Sequence, residues 1–281
     1  MVISPNLDNI PADQRARRAR SFGGQAAAYA QHRPGYPLTA IRWALQPLGE
    51  NRATEADSRL RVLDLAAGTG KLTESLVASP PEGEPPLVAG HPEGLDVVAV
   101  EPDDDMRAEL SRLLPGVPAH AGTAEDIPLP DASVDAVLVG QAMHWFDLDR
   151  ALPEIARVLR PGGVLAGLWN DDDERVDWVV GFDEVVNGPR AARSQGSRGL
   201  PDDHPEFTPF ARERFANPRR HTIDSLLATT ATHSQLLVLP EDERAALLDR
   251  MRDYLRSRPE TSGGEFDQPL LTVVARAVRR S

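Results

Sequence analysis

At 281 residues, 41% hydrophobic and 5% aromatic, the chain is long enough to bury a full core and reads as one large domain with additions. A formal charge of −12 and a pI near 5.1 count against nucleic acid or an anionic membrane as the main partner, since both need a positive field, and favour small-molecule chemistry. The absence of cysteine excludes disulfides, thiolate zinc sites and cysteine nucleophiles, so nothing signals secretion and a cytoplasmic setting is expected.

Residues 1–20 are polar and charged, with Pro5 and Pro11, and are expected to form a flexible N-terminus. Their basic cluster of Arg15, Arg17, Arg18 and Arg20 precedes no apolar run, and no stretch approaches the ~20 apolar residues of a membrane helix. From Ser21 to Pro37 the pattern predicts a short helix stopped by proline, with Phe22, Ala26 and Tyr29 close to one face. A second helix is predicted over 38–48, with Ile41, Leu45 and Leu48 apolar, and a polar linker follows from Asn51 to Arg59.

Residues 60–66 predict the first strand, whose Val62, Leu63 and Leu65 suit the middle of a parallel sheet. It runs through Asp64 into Ala66, Ala67, Gly68, Thr69 and Gly70, small residues that let the backbone turn sharply and approach a ligand, and then opens a helix over 71–78. A Walker loop would need Gly where Leu65 stands and Ser or Thr where Leu72 stands. A dinucleotide loop would need a third glycine at Thr73, which weakens NAD or FAD without excluding them. A cofactor without a diphosphate, such as S-adenosyl-L-methionine, fits best, since it needs close main-chain approach and a carboxylate.

Residues 79–94 are broken by Pro80, Pro81, Pro85, Pro86 and Pro92 and are expected to be a surface insertion outside the site. Strand two, 95–101, ends in Glu101, and helix 103–114 starts on an acidic turn suited to its dipole. Glu101 lies about thirty residues past the glycine loop, a delay the insertion explains, and is expected to bond both hydroxyls of a ribose. Pro102 follows it, with Asp103 and Met106 near an adenine edge. A short third strand lies at 117–120, the fourth at 133–139, a helix at 148–159, and the turn 160–163 leads into strand five at 164–169. In such a βαβα chain ligands sit beyond the carboxyl ends of the strands, so segments 64–70, 101–106 and 140–146 are expected to share one cleft. Beyond Asn170 come a helix at 175–186, a loop to Pro205, an irregular part to Ser234, a helix at 241–256 and a closing strand over 268–278.

Four stretches together resemble the successive motifs of class I S-adenosylmethionine-dependent methyltransferases: Asp64 to Gly70, the acid Glu101, Gly122 to Pro130, and Ala156 to Gly163. The segment from Ser21 to Pro37 is similar to the cap of a small-molecule subgroup whose fourth strand ends in Gln-Ala-X-His-Trp-Phe, here Gln141 to Phe146. The resemblance implies an α/β, Rossmann-like fold: a mostly parallel seven-stranded sheet with helices on both faces, an N-terminal helical cap over 21–50, and extra helices between strands five and six. It implies a single domain over 21–281, with a cofactor core at 60–170, a variable substrate region at 171–265 and a closing strand at 266–281.

The activity implied is methyl transfer to a small-molecule acceptor by in-line displacement. The alternatives are a non-catalytic protein binding S-adenosylmethionine or S-adenosylhomocysteine, and, further off, an NAD-dependent oxidoreductase. By resemblance the cofactor set is Tyr29, Arg33, Asp64, Ala66, Gly68, Thr69, Gly70, Glu101, Pro102, Met106, Thr123, Ala124, Glu125 and Gln141, with Tyr29 and Arg33 reaching the methionine carboxylate. Two departures stand out. Ala66 replaces the usual first loop glycine, and Thr123 stands where many relatives carry Asp, which passes the adenine amino contact to Asp126, Glu125 or backbone.

His144 is the candidate for acid–base work, because only histidine titrates near neutrality unperturbed; its rival role is a structural one beside Trp145 and Phe146. The acceptor is expected between the cap, residues 144–146 and the stretch 171–234, with Trp178, Phe182 and Phe207 as apolar wall. His32, His91, His120, His204, His221 and His233 show no metal-ligand spacing, so no metal is expected. The expected partners exclude nucleic acid and membrane, and the expected assembly is a monomer or homodimer.

Overall fold

A computed structural model describes residues 34–51, 59–188, 200, 203–231, 236 and 239–281. The N-terminus 1–20, the first cap helix with Tyr29 and Arg33, and most of the polar linker lie outside these residues. Two compact units emerge. The described residues within Gly35–Trp169, Arg198–Phe215 and Thr272–Ser281 form the first, and those within Asn170–Ser197 and Ala216–Leu271, with Pro34, form the second.

The first unit begins with α1 (Leu38–Asn51) and the strands β1 (Leu60–Leu65), β2 (Leu95–Val100), β3 (Ala119–His120), β4 (Val134–Gly140) and β5 (Leu159–Asp172). Between them run α2 (Lys71–Val77), α3 (Asp104–Leu113) and α4 (Leu148–Val158), and after them come β6 (Ala211–Ala216) and β9 (Leu270–Val278). The sheet is seven-stranded in the order β3-β2-β1-β4-β5-β9-β6, and β1 to β5 pair in parallel. Alternation along the strands sorts side chains to two faces. Leu60, Val62, Ala136, Leu138, Val164 and Ala166 pack in one cluster with Ile41, Leu45 and Leu48 of α1 and Leu72 and Leu76 of α2. Leu63, Leu65, Val137, Val139 and Leu165 pack on the other with Ala151, Leu152 and Ile155 of α4. Strands buried on both faces read as continuous apolar runs, which is why β1, β2 and β4 were visible in the sequence.

Three details differ from the sequence reading. The turn expected at 160–163 is a bulge inside a longer strand: Leu159 already pairs with Val134, and the register shifts before Val164 meets Ala136. Residues 79–94 are irregular as expected but docked, with Leu87, Val88 and His91 buried. Leu87 and Val88 join the α1 cluster, and Arg42 of α1 donates to the Glu84 carboxylate at 2.8 Å and the Pro85 carbonyl at 2.7 Å. The closing strand also starts later. Pro269, which has no N–H for a ladder, separates β9 from β8 (Phe266–Gln268), and β8 pairs antiparallel with β7 (Arg219–His221) in a separate two-stranded sheet.

The second unit holds α5 (Asp177–Asn187), α6 (Ile223–Ala231), α7 (Glu241–Arg256), the short α8 (Pro259–Ser262) and the β7–β8 ribbon. Of these helices only α5 lies between β5 and β6 in sequence, as expected; α6 and α7 come after β6. Their shared core contains Trp178, Phe182, Leu227, Leu247, Met251, Leu255 and Phe266, with the Trp178 and Phe266 rings edge to face at 5.7 Å. The Tyr254 hydroxyl donates to the Trp178 carbonyl at 2.9 Å and tightens the α5–α7 contact.

At the amino end of the parallel strands, Asp135 is 1% exposed and its carboxylate accepts the Arg61 amide at 2.8 Å and the Arg160 guanidinium at 2.7 Å. One side chain thereby ties the starts of β1 and β4 to the β5 bulge. Asp135→Ala strands the Arg61 amide and is expected to lower stability by about 2–3 kcal/mol, read as a shifted urea midpoint.

Candidate active site

The loop after β1 is shaped by left-handed backbone. Gly68 and Gly70 have φ of 58° and 89°, and a Cβ on Gly70 would lie 3.0 Å from the Leu110 side chain of α3. Ala66 also takes a positive φ, 57°, although it carries a Cβ; the usual glycine is missing here, yet the glycine conformation is kept. The Gly70 amide closes a turn on the Ala67 carbonyl at 2.9 Å, and the Ala67 amide bonds the Val100 carbonyl at 3.1 Å. Gln141, just past β4, has φ 57° and donates its amide to the Leu168 carbonyl at 2.8 Å. Non-glycine residues held in this conformation concentrate at functional sites.

Two buried acids sit at neighbouring strand ends. Glu101 is 6% exposed; one carboxylate oxygen accepts the Gly68 amide at 2.8 Å and the other accepts the Asp103 amide at 2.9 Å. Asp103 in turn caps α3 by accepting the Met106 amide at 3.0 Å. Met106 is buried, and its sulfur lies 3.8 Å from where a Cβ on Gly68 would be. Segments 64–70 and 101–106 are thus physically joined. Asp64 is 1% exposed; Oδ2 accepts the Thr73 hydroxyl at 2.5 Å, while Oδ1 has no partner among the described residues. Thr69 is 2% exposed and its Oγ1 is likewise buried without a partner among the described residues.

Burial pushes the Asp64 carboxyl up from 3.8 to about 7, against the opposing pull of the Thr73 hydroxyl and the Thr73 amide, and the nearby Glu101 charge adds to the rise. Burial also raises Glu101, opposed by the amides of Asp103 and Gly68. Thr73 entered the sequence reading only as the residue that is not a third glycine. Its hydroxyl, one helical turn in from the loop, is what holds Asp64, a role foreshadowed by nothing but the spacing.

The third and fourth strand ends join through one apolar cluster, in which Ala66 packs with Ala124, Ala142, Met143, Trp145 and Phe146. Ala124 is buried, whereas Thr123, Asp126 and Pro102 are exposed. Glu125 accepts the Asp147 amide at 2.9 Å, so one of the two acids considered for the adenine amino group is already engaged by α4. His144 is half-buried in a 3-10 turn, Met143–Trp145, its ring centroid 4.9 Å from that of Trp145. Trp178, Phe182 and Phe207, expected as pocket wall, are instead 5%, 6% and 0% exposed and packed in hydrophobic cores. Among the described residues no group of three or more His, Cys, Asp or Glu could hold a metal, and no helix is long and apolar enough to cross a membrane.

Residues 63–167 match the family model described as a methyltransferase domain. An uncharacterized methyltransferase of Mycobacterium tuberculosis is 40% identical over 258 residues, 92% of this chain and 95% of its own length. Another from Schizosaccharomyces pombe is 29% identical over 259 residues, 90% of this chain and 95% of its own. Among solved structures, a type II methyltransferase candidate from Anaeromyxobacter dehalogenans superposes with a TM-score of 0.55 at 30% identity, covering 88% of this chain and 96% of that one.

The raised Asp64 carboxyl has a consequence for stability. Between about pH 4 and 7 the folded chain keeps a proton that the unfolded chain releases, so stability falls as pH rises through this window and levels off above it. Glu101 acts in the same sense. In urea titrations of ligand-free protein at pH 5 and pH 8, wild type is expected to lose on the order of a few kcal/mol. Asp64→Asn, which retains an acceptor for Thr73, is expected to lose clearly less; equal losses would remove Asp64 as the cause.

Proposed function

Because this chain belongs to the class I methyltransferase family, we propose that it binds S-adenosyl-L-methionine and methylates a small-molecule acceptor. The observation that carries this reading is a pair of buried oxygens, Asp64 Oδ1 and Thr69 Oγ1, that have no hydrogen-bond partner among the described residues, beside a loop held to Glu101. Such oxygens cost folding energy unless water or a ligand brings them partners. A cationic, hydroxyl-rich nucleoside supplies both a charge for Asp64 and donors for the acids. Each Glu101 oxygen already accepts one amide and retains a second lone pair, which suits two adjacent ribose hydroxyls.

When bound, the cofactor supplies an electrophilic methyl group on its sulfonium. The protein's own share is to hold and orient. Gly68 and Gly70 keep the loop in its left-handed turn, with Gly70 letting it pack closely on Leu110 of α3, Met106 and Ala124 offer apolar surface to a base, and Gln141 sits at the β4 end of the same region. Tyr29 and Arg33 remain the candidates for the amino-acid carboxylate. Trp145, Phe146 and the buried Met143 form an apolar surround for His144, which in this reading takes a proton from a phenol or carbon acid and is not needed for a carboxylate acceptor. Orientation in a dry site can be worth several kcal/mol of barrier on its own. The acidic surface, and the absence at the end of β4 of the Asn/Asp-Pro-Pro-Tyr motif of many nucleic-acid methyltransferases, favour a small acceptor over nucleic acid. The proposal extends to a cytoplasmic setting and to a monomer or homodimer that does not act at a membrane.

Calorimetry with S-adenosylhomocysteine, followed by transfer of labelled methyl to a panel of carboxylates, phenols and lipidic acceptors, tests the proposal; a chain that binds no cofactor product refutes it. Glu101→Ala is expected to weaken that binding by about 1.5–3 kcal/mol, and unchanged affinity would take Glu101 out of the site. His144→Ala is expected to leave cofactor affinity near wild type while lowering turnover by roughly 10²-fold or more; full turnover would leave His144 a wall residue.

A further inference from the structure

The segment from Ala121 to Asp131 carries the residues placed beside the nucleobase, yet has little regular structure to hold it. Thr123 and Asp126 exchange main-chain hydrogen bonds at 3.3 Å, and the Leu129 amide turns back on the Ile127 carbonyl at 2.8 Å. Gly122 lies against Pro128, where a Cβ would meet the ring at 2.5 Å, so the loop folds tightly onto itself. Only Ala124, Ile127 and Leu129 are buried among its residues. The Ser133 hydroxyl donates to the Pro130 carbonyl at 2.6 Å, and most of the remaining hydrogen bonds that fasten the segment come from α4.

Arg157 supplies most of that. Its Nε donates to Glu154 Oε1 at 2.9 Å, and one Nη donates to the Leu129 carbonyl at 2.9 Å and Asp131 Oδ1 at 2.7 Å. The other Nη donates to the Ile127 carbonyl and Glu154 Oε2, both at 2.9 Å. All five N–H groups of the guanidinium are thereby used. Glu154 completes the clamp by accepting the Ile127 amide at 3.2 Å, and the Arg157 carbonyl accepts the Ala132 amide at 2.9 Å. At the other end of α4, Glu125 reaches from the loop to the Asp147 amide. A lysine keeps the charge but has three donors on one nitrogen and cannot span two carbonyls and two carboxylates.

We propose that Arg157, braced by Glu154, is a positioning residue that prebuilds the 121–131 loop for the adenosyl half of the cofactor. This rests on the cofactor reading above. Arg157 touches no reacting atom; it acts by sparing the ligand the work of ordering the loop.

The test titrates S-adenosylhomocysteine and 5′-methylthioadenosine, which has the adenosyl half without the amino acid, into wild type, Arg157→Lys and Glu154→Gln, and follows amide exchange across 121–131. Arg157→Lys is expected to weaken both ligands by a similar factor, roughly tenfold, with faster exchange in the loop. Glu154→Gln is expected to weaken both by a smaller factor, and decides by the same criterion if Arg157→Lys does not fold. Affinities within about a factor of two of wild type for both ligands overturn the proposal, as does a loss confined to S-adenosylhomocysteine. Wild type that binds neither ligand overturns the cofactor reading itself, whereas wild type that binds while the variants match it overturns only the clamp.

Discussion

The hydrogen bond from the Gly68 amide to the Glu101 carboxylate is the constraint on which the site turns. It links a loop after β1 to the end of β2, two places thirty-three residues apart, and holds a carboxylate out of water. That placement is costly unless the charge is satisfied, so the second oxygen is taken up by the Asp103 amide, which in turn sets the start of α3. With α3 fixed, Met106 lies against Gly68 and Leu110 against Gly70, where a Cβ would crowd Leu110 at 3.0 Å in a backbone conformation that favours glycine. One acid thus determines the shape of a turn, the origin of a helix and the size limit at a backbone position.

Much of this was legible in the residues because several levels agreed. The run from Arg61 to Thr73 combines a doubly buried strand, small residues and a helix start, and the fold has little freedom once these are adjacent. Glu101 was readable as the first acid ending an apolar strand. What escaped was set by contacts rather than by local pattern. Ala66 gives no hint of a left-handed backbone, since alanine avoids it; only its place in the motif does. β6 reads Ala-Arg-Glu-Arg-Phe-Ala with its first four residues exposed, so it shows no alternation of apolar and polar positions, and only Phe215, whose ring lies 6.1 Å from that of Trp43, packs on the core. The docking of Leu87 and Val88 was hidden by the prolines around them. Tyr29 and Arg33 lie outside the described residues.

Two kinds of buried acid serve two ends of the same strands. Asp135, at the amino end, has its oxygens engaged by an amide and a guanidinium and does the work of a fastener. Asp64, at the carboxyl end, is as deeply buried but keeps one oxygen without a partner among the described residues and holds its proton to near neutrality. Residue type and burial are equal, and satisfaction separates them. A buried carboxyl group short of a partner carries a desolvation cost that water or a ligand can relieve, and in an α/β fold such a group suits the end where ligands bind.

The strand order carries an implication for how the chain matures. β9 lies between β5 and β6 but is made long after both. While the polypeptide is emerging from the ribosome, β6 has no neighbour to join and β5 is a bare edge, a template for association with other nascent chains. Completion of the sheet beyond β5 must therefore wait for the segment beyond Pro269, and non-local pairing of this kind is slow. Of the three strands, β6 is the most hydrophilic and the least able to recruit a stranger while it waits.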